Sequence, residues 1–106
     1  MSSLLMCLPP NEKAKRLYLD DRDRSIDLDG MRSTLTEQEY LLLSELAQHA
    51  GEAVSRQELL RSAWGYLSPG ATRTVDVHIQ RLRKKIGFRT IDTVYRKGYR
   101  LRAHRI

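Results

Sequence analysis

Cysteine is almost absent from this chain of 106 residues, where Cys7 stands alone. A single thiol excludes a disulfide framework and suits a reducing cytoplasm. Histidine is scarce too. His49, His78 and His104 share no ligand spacing with one another or with Cys7, so no metal centre is expected. Long apolar runs are missing: the opening stretch from Met1 to Leu8 is too short to cross a bilayer, and it lacks the basic start and small-residue site of a secretory signal. Residues 1–11, closed by Pro9 and Pro10, read as a linker or disordered tail. That leaves 12–106 as one domain, since 106 residues with 41% hydrophobic content build one compact core but not two. No Ser/His/Asp, Cys/His or paired-carboxylate set converges, and the loops are too short to wall a pocket. Enzyme activity, a small-molecule substrate and a cofactor are therefore not expected. Aromatic residues make up only 7% of the chain, and Tyr95 and Phe88 alone are candidates for stacking on bases, which argues against RNA.

Acidic residues are also missing, but from one region. Residues 73–106 hold eleven Lys/Arg against two acids, Asp76 and Asp92, whereas residues 1–72 hold eight against eleven. One third of the chain thus carries the whole positive excess behind a net charge of +6. A solvated surface normally intersperses both signs, so this asymmetry points to a polyanion.

What is present is periodic. Leu17 and Leu19 alternate with Arg16, Tyr18 and Asp20, as in a strand with one dry face. Ser25 to Leu28 repeats the pattern, Asp29-Gly30 supplies a hairpin turn, and Arg32 to Leu35 returns as a third strand, giving a small antiparallel meander. Helices follow. Thr36-Glu37-Gln38-Glu39 is a capping box, behind which Tyr40, Leu42, Leu43, Leu46 and Ala47 share a face until Gly51. Ser55-Arg56-Gln57-Glu58 reads as a second box, opening a helix that buries Leu59, Leu60, Ala63 and Trp64 and stops at Gly65. Between the two, Ala53-Val54 can add a short bridge.

The third helix is expected over about 73–86. Val75, Ile79, Leu82 and Ile86 step by four, three and four into one buried stripe, which leaves Arg73, Thr74, Val77, Arg81 and Lys84 on the opposite side. An apolar Val77 on an outward basic face has either a peripheral core contact or a thymine methyl to touch. Ile91 to Tyr95 and Tyr99 to Arg102 are β-prone, and Arg96-Lys97-Gly98 is a turn whose glycine can take positive φ. A basic tip on two strands can follow a phosphate backbone or enter a minor groove.

Taken in order, Leu35-Thr36-Glu37-Gln38-Glu39, Ser55-Arg56-Gln57-Glu58-Leu59-Leu60, Trp64-Gly65, Arg73-Thr74-Val75-Asp76-Val77-His78-Ile79, Arg81-Leu82-Arg83-Lys84-Lys85 and Gly98-Tyr99-Arg100 resemble the effector domain of OmpR/PhoB-type response regulators. The resemblance runs from about Leu17 to Leu101. It implies an α+β winged helix-turn-helix with an N-terminal four-stranded antiparallel sheet, three helices and a C-terminal β-hairpin wing. It also implies sequence-specific binding of double-stranded DNA for transcription regulation, as the output domain of a two-component response regulator. The third helix would enter the major groove and the wing, about 93–100, the adjacent minor groove. Family roles then fall on Arg73, His78 and Arg83 for phosphates, and on Thr74, Val77 and Arg81 for base edges. Trp64 falls near the backbone, Thr93 and Tyr99 at wing phosphates, and Lys84, Arg96 and Lys97 among the basic contacts. The loop 65–72 corresponds to one that touches RNA polymerase in some members, and tandem homodimers on direct repeats are implied as well.

Two residues depart from the family pattern. Tyr95 followed by Arg96 stands where relatives often carry a groove-entering arginine, and strand alternation would send Arg96 to the other side. Gln80 replaces a frequent basic residue. The residues before Glu12 cannot form a receiver domain, so an excised effector, a stand-alone or membrane-anchored regulator without phosphorylation control, and a winged-helix protein-interaction module are the alternatives.

Overall fold

Period-two and period-3.6 stretches become strands and helices at nearly the expected places. The computed structural model describes residues 4–8, 15–65 and 71–105, with 4–8, 15, 104 and 105 described through the backbone. Along the chain run β1 (Leu4–Leu8), β2 (Lys15–Asp20), β3 (Ser25–Leu28), β4 (Met31–Thr34), α1 (Glu37–Gln48), β5 (Ala53–Val54), α2 (Arg56–Trp64), α3 (Thr72–Ile86), β6 (Ile91–Val94), β7 (Gly98–Leu101) and β8 (His104–Arg105).

The first sheet is antiparallel in the order β4-β3-β2-β1-β8, so it has five strands rather than four. Relative to the three-strand meander read from periodicity, β1 and β8 are added from the two ends, and β8 is the one beyond the four N-terminal strands. β1 lies inside the segment expected to be linker or tail, pairing Leu4 with Leu19 through Leu8 with Lys15 on one side and Met6 with Arg105 on the other. Five consecutive apolar residues carry no period-two signal, so the run was silent about pairing that backbone hydrogen bonds then supply. The β3–β4 hairpin turns at Asp29 and Gly30, both with positive φ, and the Asp27 carboxylate accepts the Gly30 N–H at 2.8 Å.

Helix α1 starts at a complete capping box. Thr36 Oγ1 accepts the Glu39 N–H at 3.2 Å, and Glu39 Oε1 accepts the Thr36 N–H at 2.9 Å. Its end falls at Gln48, ahead of Gly51, whose N–H donates to Leu101 O at 3.0 Å. The second box is half made. Ser55 Oγ accepts the Glu58 N–H at 3.0 Å, but the Glu58 carboxylate turns to Arg61. Gly65, at φ 78, closes α2 in the left-handed conformation.

Val75, Ile79, Leu82 and Ile86 are all buried, in one core cluster with Leu42, Leu43, Leu46, Leu59 and Leu60 of the other two helices and with Leu17, Leu19 and Ile26 of the sheet. Each such side chain stabilises the fold by roughly 1.5–3 kcal/mol. The far end of α3 is tied down by Lys85, which donates to Glu39 Oε1 at 2.7 Å and to Thr34 O at 3.0 Å. Burial alone would raise the Glu39 carboxyl, yet the hydrogen bonds from Lys85 and the Thr36 backbone outweigh it and hold the group below its ordinary 4.5.

The second sheet has the order β5-β7-β6, so the wing hairpin is fastened along one edge to the strand that precedes α2. Val54 pairs with Tyr99, and the approach is so close that a Cβ on Gly98 would lie 2.0 Å from Val54 O. Only glycine fits there, and its φ of 141 adds a second reason.

Candidate nucleic-acid interface

Helix α3 and the wing tip converge on one side of the molecule, and a cleft of about 640 Å3 separates them. Its floor is a polar cluster that joins three elements. Asp76 of α3 takes a bidentate ion pair from Arg56 of α2, through Nε at 3.0 Å and Nη2, and its Oδ1 accepts the Tyr99 hydroxyl of β7 at 2.7 Å. Burial and the Asp76 carboxylate together push the Tyr99 phenol up to about 12, so it remains a donor at any physiological pH. The same carboxylate raises the Arg56 guanidinium above its usual value.

A second cluster locks α3 to the wing from the other side. Arg83 is buried, at 9% exposure, and donates to Ile91 O through Nε at 3.1 Å and Nη2 at 2.7 Å, and to Thr93 Oγ1 at 3.0 Å. Its guanidinium also lies 5.5 Å from the Tyr99 ring centre. The expected phosphate role of Arg83 therefore meets a side chain that is mostly enclosed, with Nε and Nη2 engaged on the strand that carries the wing. Tyr99 is likewise 6% exposed with its hydroxyl committed to Asp76, so it braces the wing rather than offering that hydroxyl to a phosphate. Thr93 has an exposed side chain whose oxygen accepts from Arg83.

The other expected contact residues divide cleanly. Arg73, Arg81 and Lys84 are exposed along α3, Val77 is 45% exposed among them, and Thr74 is half-buried at the helix start. Among the described residues, Arg73, Arg81, Lys84, Arg89 and Lys97 have no ion-pair partner, whereas Arg100 and Arg102 share Asp92 and Lys85 holds Glu39. The basic excess of the last third thus splits into structural cations and free ones. The free ones on α3 lie opposite the buried stripe.

Trp64 is half-buried, and its ring meets the His78 ring edge-on with centres 4.9 Å apart. His78 Nδ1 stands 2.9 Å from Thr74 O, an atom that can only accept, so Nδ1 carries the proton. Nε2 then donates to a phosphate only when it is protonated as well. At the wing tip, Lys97 N–H donates to Val94 O at 2.9 Å and closes the turn, with Arg96 at φ 60 and Tyr95 80% exposed. Of the 65–72 loop, residues 66–70 lie outside the described residues.

Asp76 and Arg56 carry no role in the sequence reading above. A signal for the first was present: an acid in the middle of the most basic segment wants a specific partner. The partner itself depends on how α2 packs beside α3.

A helix with a buried apolar stripe and a free cationic face, set beside a braced basic hairpin, defines a winged helix-turn-helix DNA-binding domain. Residues 30–101 match the family model described as "Transcriptional regulatory protein, C terminal". The chain belongs to that family, the OmpR/PhoB-type DNA-binding domains of transcriptional regulators, which is not an enzyme class. Among curated relatives, the transcriptional regulatory protein CseB of Streptomyces avermitilis is 44% identical over 87 residues, covering 82% of this chain and 37% of CseB. The DNA-binding domain of Klebsiella pneumoniae RstA, solved in complex with the RstA box, is similar with a TM-score of 0.71 and 37% identity, over 80% of this chain and 89% of that one. The response regulator DrrB, a Thermotoga maritima OmpR/PhoB homologue, has a TM-score of 0.69 at 34% identity, over 80% of this chain and 41% of DrrB. The chain therefore spans well under half the length of full-length relatives such as CseB. No helix among the described residues is long and apolar enough to cross a membrane.

Proposed function

We propose that this domain is the output module of a two-component response regulator, reading a specific duplex sequence with α3 in the major groove and the wing at the adjacent minor groove. The observation that carries the reading is the row Arg73, Val77, Arg81 and Lys84: solvent-facing, opposite the buried stripe, and with cations that lack internal partners among the described residues. Unpaired cations beside the duplex release counterions and supply affinity for any sequence. Thr74, Val77 and Arg81 supply discrimination, Val77 through a thymine methyl and Arg81 through a guanine edge. Arg73, Lys84, Lys97 and the Trp64–His78 pair hold the backbone.

Partners beyond DNA belong to the same proposal. A second copy would bind head-to-tail on a direct repeat, and RNA polymerase would meet the 65–72 loop. A cytoplasmic setting follows from the DNA partner and agrees with Cys7 being the single cysteine of the sequence.

Selection of bound sequences from a random duplex pool tests the reading directly. A recovered motif, repeated at one helical turn, is the expected result, and recovery of no enriched sequence would overturn it. Arg81→Ala should reduce the preference for that motif over random duplex by roughly 1–3 kcal/mol. Arg73→Ala should weaken both equally and flatten the salt dependence.

A further inference from the structure

The wing tip holds a feature that none of these roles absorbs. Among the described residues, Tyr95 is the most exposed of the large apolar side chains, at 80%, ahead of Met31, Phe88 and Val77. The next residue, Arg96, sits at φ 60, a left-handed backbone that disfavours a long L side chain. Strand alternation would send neighbouring side chains to opposite faces. The left-handed residue breaks that alternation, and the Arg96 guanidinium carbon lies 5.2 Å from the centre of the Tyr95 ring. Two adjacent residues therefore present one object: an aromatic plate with a cation laid over it.

We propose that Tyr95 and Arg96 act as a single minor-groove reading unit, with Tyr95 as the specificity-determining partner. This rests on the duplex-binding reading above. A free arginine must surrender side-chain freedom when it enters a groove, whereas a guanidinium already resting on a ring has surrendered part of it. Narrow grooves floored by A·T pairs concentrate negative potential and attract such a cation. The ring adds a bulky apolar face that meets deoxyribose walls and tolerates no group projecting from the floor. The guanine 2-amino group is the one substituent that projects there. The unit should thus select duplex segments whose minor groove lacks that amino group, whatever the major groove displays.

Base analogues separate the two grooves. Inosine·cytosine presents the major-groove edge of guanine·cytosine without the 2-amino group, and diaminopurine·thymine presents that of adenine·thymine with it. Placed in the wing-proximal segment of the selected duplex, inosine should tighten binding of the unaltered protein, and diaminopurine should weaken it. The expected change is about two- to fivefold, the worth of an exposed cation–π contact expressed as affinity. Tyr95→Ala and Arg96→Ala should each abolish that response, the double variant should lose nothing further, and Tyr95→Phe should keep it. Arg96→Gly supplies a control on folding, because it relieves the left-handed strain: its melting temperature should equal or exceed that of the unaltered protein while the response disappears. A Tyr95→Ala protein that still distinguishes the analogues would overturn the proposal, as would strictly additive losses. If the unaltered protein binds its motif but ignores the amino group, this inference fails alone. If it binds no duplex, the underlying reading has failed.

Discussion

Replacing Asp76 by asparagine keeps the shape of the α2–α3–wing junction and removes its charge, so three readouts should move in different directions. The Tyr99 hydroxyl, now 2.7 Å from a carboxylate oxygen, would donate to a neutral amide oxygen instead. Hydrogen bonds to charged groups contribute about 1.5–3 kcal/mol and neutral ones about 0.5–1.5, so about 1 kcal/mol is lost there. The Arg56 ion pair adds little more, because its side chains are 44% and 34% exposed and solvent screens them; about 0.5–1 kcal/mol is reasonable for a bidentate pair. The sum, about 1.5–2 kcal/mol, lowers the melting temperature by roughly 6–15 °C in a domain of this size. Affinity for random duplex should rise at the same time, since a negative charge leaves the α3 surface and Arg56 becomes available to a phosphate. If Arg56 takes one, the log–log salt slope steepens by about 0.9. Preference for the selected motif should fall as the wing loses its brace. Tyr99 offers an independent check. Its raised pKa means that the stability it contributes is present below pH 10.0 and is lost as pH rises through about 12. In D76N its phenolate absorbance should appear earlier, although burial retains part of the shift. An unchanged melting temperature, or equal weakening on motif and random duplex, would refute this account of the junction.

Three further outcomes are expected. Arg83→Met should destabilise the domain by about 2–4 kcal/mol in urea titration, since it removes the guanidinium donors to Ile91 O and Thr93 Oγ1, while leaving the salt slope of DNA binding unchanged. A slope reduced by about 0.9 with intact stability would return Arg83 to the phosphate contacts. Gly98→Ala forces a Cβ against the Val54 backbone and should cost about 3 kcal/mol or more; a loss under about 1 kcal/mol on denaturation would mean that the wing and β5 separate easily. Glu39 has a depressed carboxyl pKa, so its contribution is present above pH 4.5 and is lost as pH falls through the lower folded value. Stability profiles of the unaltered protein and of Glu39→Gln should differ at neutral pH and converge in acid, and parallel profiles would remove Glu39 from the acid response.

Much of this architecture is written in short-range patterns. The stripe Val75, Ile79, Leu82 and Ile86 and the box from Thr36 to Glu39 are satisfied within a few turns of chain, and both stand where periodicity and capping chemistry put them. The phosphate role of Arg83 comes from the resemblance alone, whereas its position, four residues after Ile79 and three before Ile86, puts it on the flank of the buried stripe, where it reaches Ile91 O and Thr93 Oγ1. Strand β1 carried no alternation to detect, and the pairing of Asp76 with Arg56 and Tyr99 depends on three elements meeting, which no window of sequence contains. The positive φ of Arg96 was equally hidden, because glycine is the residue that normally announces it.

The two braces between α3 and the wing, Arg83 on one flank and Asp76 on the other, turn the domain into a gauge of fixed length. On the proposed reading, a hinged wing could follow its groove as the helix shifted along the duplex, whereas a wing braced on both flanks would resist doing so. One inserted base pair between the helix-read and wing-read segments moves the second about 3.4 Å along the axis and turns it by about a tenth of a revolution. Under the proposed reading helix and wing would then not both be seated, and the distance between the two segments would itself be part of the recognised sequence.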